Sequence, residues 1–100
     1  MLFPYVIALA TAAQSPSAPA AAEKGAWLSC LTNYGQVESA GAKTAVTIAI
    51  EALGACRPER AAYWRQRVRN GERESAVDDQ VDIEERAAGR MIIKLVDQSR

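Results

Sequence analysis

A chain of 100 residues with 12 lysines and arginines against 12 aspartates and glutamates fits one domain and carries no net charge, so nothing overall draws it to nucleic acid or to a membrane surface. It contains no histidine. The commonest general base, the commonest metal ligand and the ordinary switch near neutral pH are therefore missing, and a Ser-His-Asp set is excluded.

Residues 1–13 have no charged side chain and contain an apolar run from Leu2 to Ala10. Thr11 and Ala13 stand in the small-x-small arrangement of a signal-peptidase site, so the expected signal peptide ends after Ala13. Ala20 and Ala22 repeat the pattern and give an alternative end at 20–22. No Lys or Arg precedes the apolar run, which is unusual for a leader. An uncleaved anchor is disfavoured, because the run falls short of the ~20 residues that cross a bilayer. Residues 14–22, rich in Pro, Ser and Ala, read as a flexible linker, which leaves 23–100 as a single helical domain. The expected location is exported, periplasmic or secreted.

Two cysteines in an exported chain point to one structural bridge, Cys30 to Cys56. The alternative, a reactive thiol, needs an electropositive setting. Cys56 does precede Arg57, but Cys30 sits in the apolar run Leu28-Ser29-Cys30-Leu31. A lipid-attachment role for Cys30 is disfavoured by the preceding Glu23, Lys24 and Trp27-Leu28-Ser29. In a mature domain of about 80 residues the core is modest, so a covalent tie matters.

The chain then reads as three to four helices, an all-α domain with one disulfide-stapled helical hairpin. Trp27, Cys30, Leu31 and Tyr34 follow the i, i+3, i+4, i+7 pattern and predict a first helix from Glu23 to about Ala40, with Gly41 as its C′ residue. Gly35 weakens that helix. Ser39 or Thr44 caps a second helix to Ala55, apolar on most of its circumference and so expected to be the most buried. In an antiparallel hairpin a Cys30–Cys56 pair centres the turn near Lys43, close to that break.

Pro58 opens a third helix that Asn70-Gly71 ends, with Ala61, Trp64 and Val68 as its stripe. Ser75, three residues before Asp78, is the expected N-cap of a fourth helix to Val96. Its apolar face is Val77, Val81, Ala88, Met91, Ile92 and Leu95. Acidic residues crowd its first half and Arg86, Arg90 and Lys94 its second, the order the helix dipole favours.

Arg57, Arg60, Arg65, Arg67, Arg69 and Arg73 make the third helix and its exit basic, and residues 74–85 are acidic. The first reading is that helices three and four pack antiparallel and neutralise each other. The functional reading is a face of Arg60, Trp64, Arg65 and Arg67 that meets an anionic envelope component or another protein, since arginine binds phosphate and carboxylate bidentately. Nucleic acid is not an expected partner. Glu84 falls in the middle of the fourth helix's apolar stripe and needs a partner, with an arginine of helix three as the candidate. The acidic cluster lacks the spacing of a calcium loop, and Trp27, Tyr34 and Trp64 read as core aromatics. No catalytic residue, metal site or cofactor is expected, and the chain is not expected to be an enzyme.

The layout Trp27-x-x-Cys30-Leu31, then Ala45 to Ala49, then Ala55-Cys56 resembles that of short exported bacterial proteins with a C…AxxA…AC helical-hairpin skeleton. The likeness covers Trp27 to Arg60 and implies no activity. The expected role is a non-enzymatic envelope binding or accessory protein. The alternative is a structural subunit that forms a homodimer through Val77, Val81, Ala88, Met91 and Leu95 of the last helix.

Overall fold

Helix periodicity without any competing strand pattern gives a helical domain. The computed structural model describes residues 20–100, and within them lie α1 (Ala21–Glu38), α2 (Ala45–Ala55), α3 (Arg57–Arg69) and α4 (Glu74–Ser99). The expected signal peptide and all but the last three residues of the expected linker lie outside the described residues. Those last residues belong with α1, which starts two positions earlier than its periodicity indicates. No helix among the described residues is long and apolar enough to cross a membrane.

Gly35 does not end α1. It is buried, and a Cβ there would lie 3.0 Å from Leu95 Cδ2 and 3.3 Å from Ile92 Cγ2. The missing side chain is what lets α1 approach α4. Ser39 turns its hydroxyl back to Gln36 O (2.7 Å), and Thr44 is the residue that caps α2, its Oγ1 accepting from Thr47 N at 3.2 Å. The left-handed position expected at Gly41 is found instead at Gly71, where φ is 94° and α3 ends. Cys56 closes α2 and opens α3: its N–H bonds Ala52 O at 3.0 Å and its carbonyl accepts from Arg60 N at 3.1 Å. One residue thus makes the whole corner, with Pro58 inside the first turn of α3.

Ser75 does not cap α4. Arg73, with extended backbone, stands at the N-cap, and Asp78, the expected partner of Ser75, is drawn to Trp64. The helix continues past Val96 to Ser99, and Arg100 donates to Ser39 O (3.1 Å) and Gly41 O (3.0 Å), docking its end on the α1–α2 connection.

The disulfide is formed, with an S–S distance of 2.05 Å and the Cα atoms 6.0 Å apart. It ties α1 to the α2–α3 corner. Beside it the Trp27 ring stacks on Tyr63, centroids 5.9 Å apart. Around this stack the core gathers Leu31, Ile48, Ala52, Val81, Ile92 and Val96, all fully buried.

Each of the four helices packs against the other three, and α4, whose 26 residues span ~39 Å, runs the length of the domain. α2 buries Ile48, Ala49 and Ala52, the largest buried share of any of these helices, yet it leaves Val46 and Ile50 in solvent, 55% and 67% exposed. One expectation is corrected here. The proposed dimer seam is occupied from within. Val77, Val81 and Ala88 are buried under α1, α2 and α3 and Leu95 is half-buried, so only Met91 of that set reaches the surface.

Candidate functional site

A carboxylate in an apolar stripe must be neutralised where it stands. Glu84 of α4, 17% exposed, is met from two helices. Lys24 of α1 pairs with its Oε2, the Tyr63 hydroxyl of α3 donates to its Oε1 at 2.9 Å, and Arg67 Nη1 lies 3.5 Å from the same oxygen. Arg67 also donates Nε and Nη2 to the two carboxylate oxygens of Glu72, at 2.9 and 2.6 Å, and Nη1 to the Tyr63 hydroxyl at 3.0 Å. Two cations and two anions close into a neutral group around one phenol.

The electrostatics follow the contacts. The hydrogen bond to Glu84 raises the Lys24 ammonium above its ordinary 10.5. Burial, then the hydrogen bond to Glu84, pushes the Tyr63 hydroxyl above 10.0. Glu72 holds the Arg67 guanidinium charged, and Arg67 in turn holds the Glu72 carboxyl below 4.5. The arginine expected to answer Glu84 is there. Lys24, Tyr63 and Glu72 are additional members that spacing along the chain does not disclose.

The remaining members of the expected anionic-partner face are similarly engaged. Arg60 reaches Asp82 (2.8 Å) and Glu85 (2.9 Å), and Trp64 Nε1 donates to Asp78 at 2.6 Å. Arg67 is buried. Of the four, Arg65 alone stands exposed without an ion-pair partner among the described residues. Arg60, Trp64 and Arg65 still line one shallow depression together with Asp78, whereas Arg67 is withdrawn from it, and the third helix neutralises acidic residues of α4 through Arg60 and Arg67. A smaller group lies at the α1–α2 connection. Lys43 bridges Glu51 (2.8 Å) and Glu38 (3.2 Å), and the Tyr34 hydroxyl donates to Glu51 at 2.9 Å.

One open surface is the side where α2 lies along the second half of α4. Val46, Ala49, Ile50 and Leu53 face Gly89 and Ile93 across a shallow groove of about 350 Å³. Its α4 wall carries Arg86 and Arg90, one turn apart, exposed and without an ion-pair partner among the described residues. The floor is apolar, and of the rim charges Glu85 is paired with Arg60, which leaves Arg86 and Arg90 as the unpaired ones. The fourth helix's basic half was legible in the sequence, but its position beside an apolar surface needed α2 to expose Val46 and Ile50.

Among the described residues one set of soft and hard donors converges, Cys30 Sγ, Cys56 Sγ and a Glu59 oxygen, all within 4.8 Å of one another. In the oxidised chain both sulfurs are committed to each other.

No family model matches the chain, and neither a curated protein nor a solved structure matches it.

Proposed function

We propose that the chain is an exported, non-enzymatic binding protein of the envelope, and that its α2–α4 groove docks an amphipathic helix of another protein, acidic along one flank. The observation that carries this is the pairing of exposed Val46 and Ile50 with the unpaired Arg86 and Arg90 along one groove. Apolar side chains spaced i, i+3, i+4 on an incoming helix would fill the floor, as in other helix-in-groove complexes. Carboxylates one turn apart on that helix would meet the two guanidinium forks.

The groove is too open to enclose a small molecule, which a ligand pocket normally buries by 70–90% or more. An extended anionic bilayer is disfavoured by the neutral total charge and by the acidic first half of α4, which would face it. A local partner touching only the basic half avoids both costs. The disulfide supports export, because such bonds persist in oxidising compartments.

The test is site-specific photocrosslinking in cells from position 50, with a probe at position 65 as the control surface. A single heterologous protein captured from position 50, and lost when Arg86→Glu and Arg90→Glu are introduced together, is the expected result. Equal capture from position 65, survival of the crosslink after charge reversal, or a crosslink only to a second copy of this chain would overturn the reading.

A further inference from the structure

Cys30 arrives from α1, Cys56 from the α2–α3 corner and Glu59 from the first turn of α3. Their ligand atoms lie within 4.8 Å of one another, and Glu59 Oε1 is buried with no hydrogen-bond partner. A carboxylate oxygen withdrawn from water normally gains a donor or a cation in exchange. A disulfide supplies neither.

We propose that the dithiol form of this chain binds a thiophilic divalent cation, Zn²⁺ above all, through Cys30 Sγ, Cys56 Sγ and Glu59 Oε1, with water as the fourth ligand. A chain that has not yet been oxidised presents the two thiols directly. In an oxidised chain a dithiol reductant delivers two electrons and two protons to the S–S bond and leaves as its own disulfide. The cation then displaces both thiol protons, and two metal–sulfur bonds stand where one sulfur–sulfur bond was.

Several features favour this arrangement. Two thiolates at metal–sulfur distances of about 2.3 Å sit about 3.8 Å apart around a tetrahedral ion. The Cα separation of 6.0 Å leaves room to reach that by side-chain rotation. Trp27 stands one turn before Cys30, and Tyr63 one turn after Glu59, and their rings stack on each other. The same aromatic contact therefore holds α1 and α3 in place whether or not the sulfurs are bonded. Two thiolates and a carboxylate exceed the charge of a divalent ion by one, and Cys56, at the N-cap of α3, places that excess at the positive end of a helix. Sulfur donors select Zn²⁺ over Mg²⁺ or Ca²⁺.

The experiment is a titration of Co²⁺ into the full chain, fully reduced by a phosphine and held without oxygen. Thiolate-to-cobalt charge-transfer absorption and the intense visible bands of a tetrahedral ion should develop with one equivalent and vanish on adding Zn²⁺. The oxidised chain and the Cys30→Ser and Cys56→Ser variants should show neither band. Glu59→Gln should weaken binding at least tenfold. Absence of the bands in the reduced wild type overturns the proposal, as does Glu59→Gln binding with wild-type affinity. Circular dichroism covers the case in which the reduced chain unfolds without metal. The cation must then restore the helices in the wild type and fail to do so at the same concentration in Glu59→Gln, and any other result overturns the site.

Discussion

Arg67 lies over the ring of Tyr63, 5.6 Å from the ring centroid, while its Nη1 donates to the hydroxyl of that same residue. One guanidinium thus serves a π face, a phenol oxygen and two carboxylates, and it does so almost without solvent. Replacing one member of such a group leaves the others buried and unbalanced. Arg67→Met is expected to lower stability by about 3–5 kcal/mol, the range for removing one partner of a buried ion pair. Arg67→Met combined with Glu72→Leu should recover part of that loss, because Glu72 is the carboxylate that Arg67 holds with two hydrogen bonds, whereas Glu84 keeps Lys24 and the Tyr63 hydroxyl. Denaturant unfolding of the two variants checks this. A double variant less stable than Arg67→Met alone would show that solvent suffices for Glu72 once the guanidinium is gone.

The sequence shows that Glu84 is misplaced on an apolar stripe, because helical spacing assigns each residue to a face. It does not show Lys24, which lies 60 positions earlier and joins only when α1 is laid on α4. Glu72 escapes for a different reason: it follows the Gly71 turn, where no period connects it to Arg67. The Cys30–Cys56 bond and the two-helix layout around it are legible because cysteine count, spacing and turn signals agree. The exposure of α2 is not legible. A helix that is apolar all round can be fully enclosed or can keep one side for a partner, and the pattern alone does not count its neighbours. The α4 residues expected to form a dimer seam illustrate the same gap, since a stripe reads alike whether its own domain or a second copy covers it.

Three of the four glycines inside the described helices, Gly25, Gly35 and Gly89, separate backbone cost from packing. Gly25 has nothing within 4 Å of the position a Cβ would take, and Gly89 has only Leu53 Cδ1 at 3.7 Å. Gly25→Ala and Gly89→Ala are each expected to stabilise the chain by roughly 1 kcal/mol, the helix-propensity difference. At Gly35 the added methyl meets Ile92 Cγ2 at 3.3 Å, and Ile92 is fully buried and has nowhere to move. Overpacking of about 1–3 kcal/mol then exceeds the propensity gain, so Gly35→Ala is expected to be destabilising. Thermal melting of the three variants decides it. A Gly35→Ala variant as stable as Gly25→Ala would mean that α1 and α4 can separate without loss.

The disulfide closes a loop with a sequence separation of 26, and the chain-entropy relation assigns that a stabilisation of about 3–4 kcal/mol. Cys30→Ala with Cys56→Ala should lose an amount of this order while keeping the helical circular dichroism at low temperature. The Trp27–Tyr63 stack and the Glu84 group tie α1 to α3 independently of sulfur. Trp27→Ala in the disulfide-free background should therefore cost more than in the bonded chain, where the bridge still holds α1. Equal losses in the two backgrounds would show that bridge and stack act independently.

Stability should be bounded on both sides of neutral pH, with opposite signs of proton uptake. Glu72 and Glu51 have carboxyls held below their ordinary 4.5, by Arg67 in one case and by Lys43 and then Tyr34 in the other. A lowered native value means the unfolded chain binds protons first, so their contribution is present above 4.5 and is lost as pH falls through the native values. On the alkaline side the Tyr63 hydroxyl is pushed above 10.0 by burial and by Glu84, Tyr34 is raised by its hydrogen bond to Glu51, and Lys24 is raised above 10.5. Here the unfolded chain releases protons first, so stability declines as pH rises past the ordinary values toward the native ones. The melting temperature is expected to be flat through neutral pH and to fall beyond each limit. Tyr63→Phe should shallow the alkaline limb without touching the acid one, whereas Glu72→Gln should shallow only the acid limb. Tyrosinate absorbance provides the direct check. Native Tyr34 and Tyr63 ionising at 10.0, together with the denatured chain, would show that neither Glu84 nor Glu51 holds its phenol in the folded state.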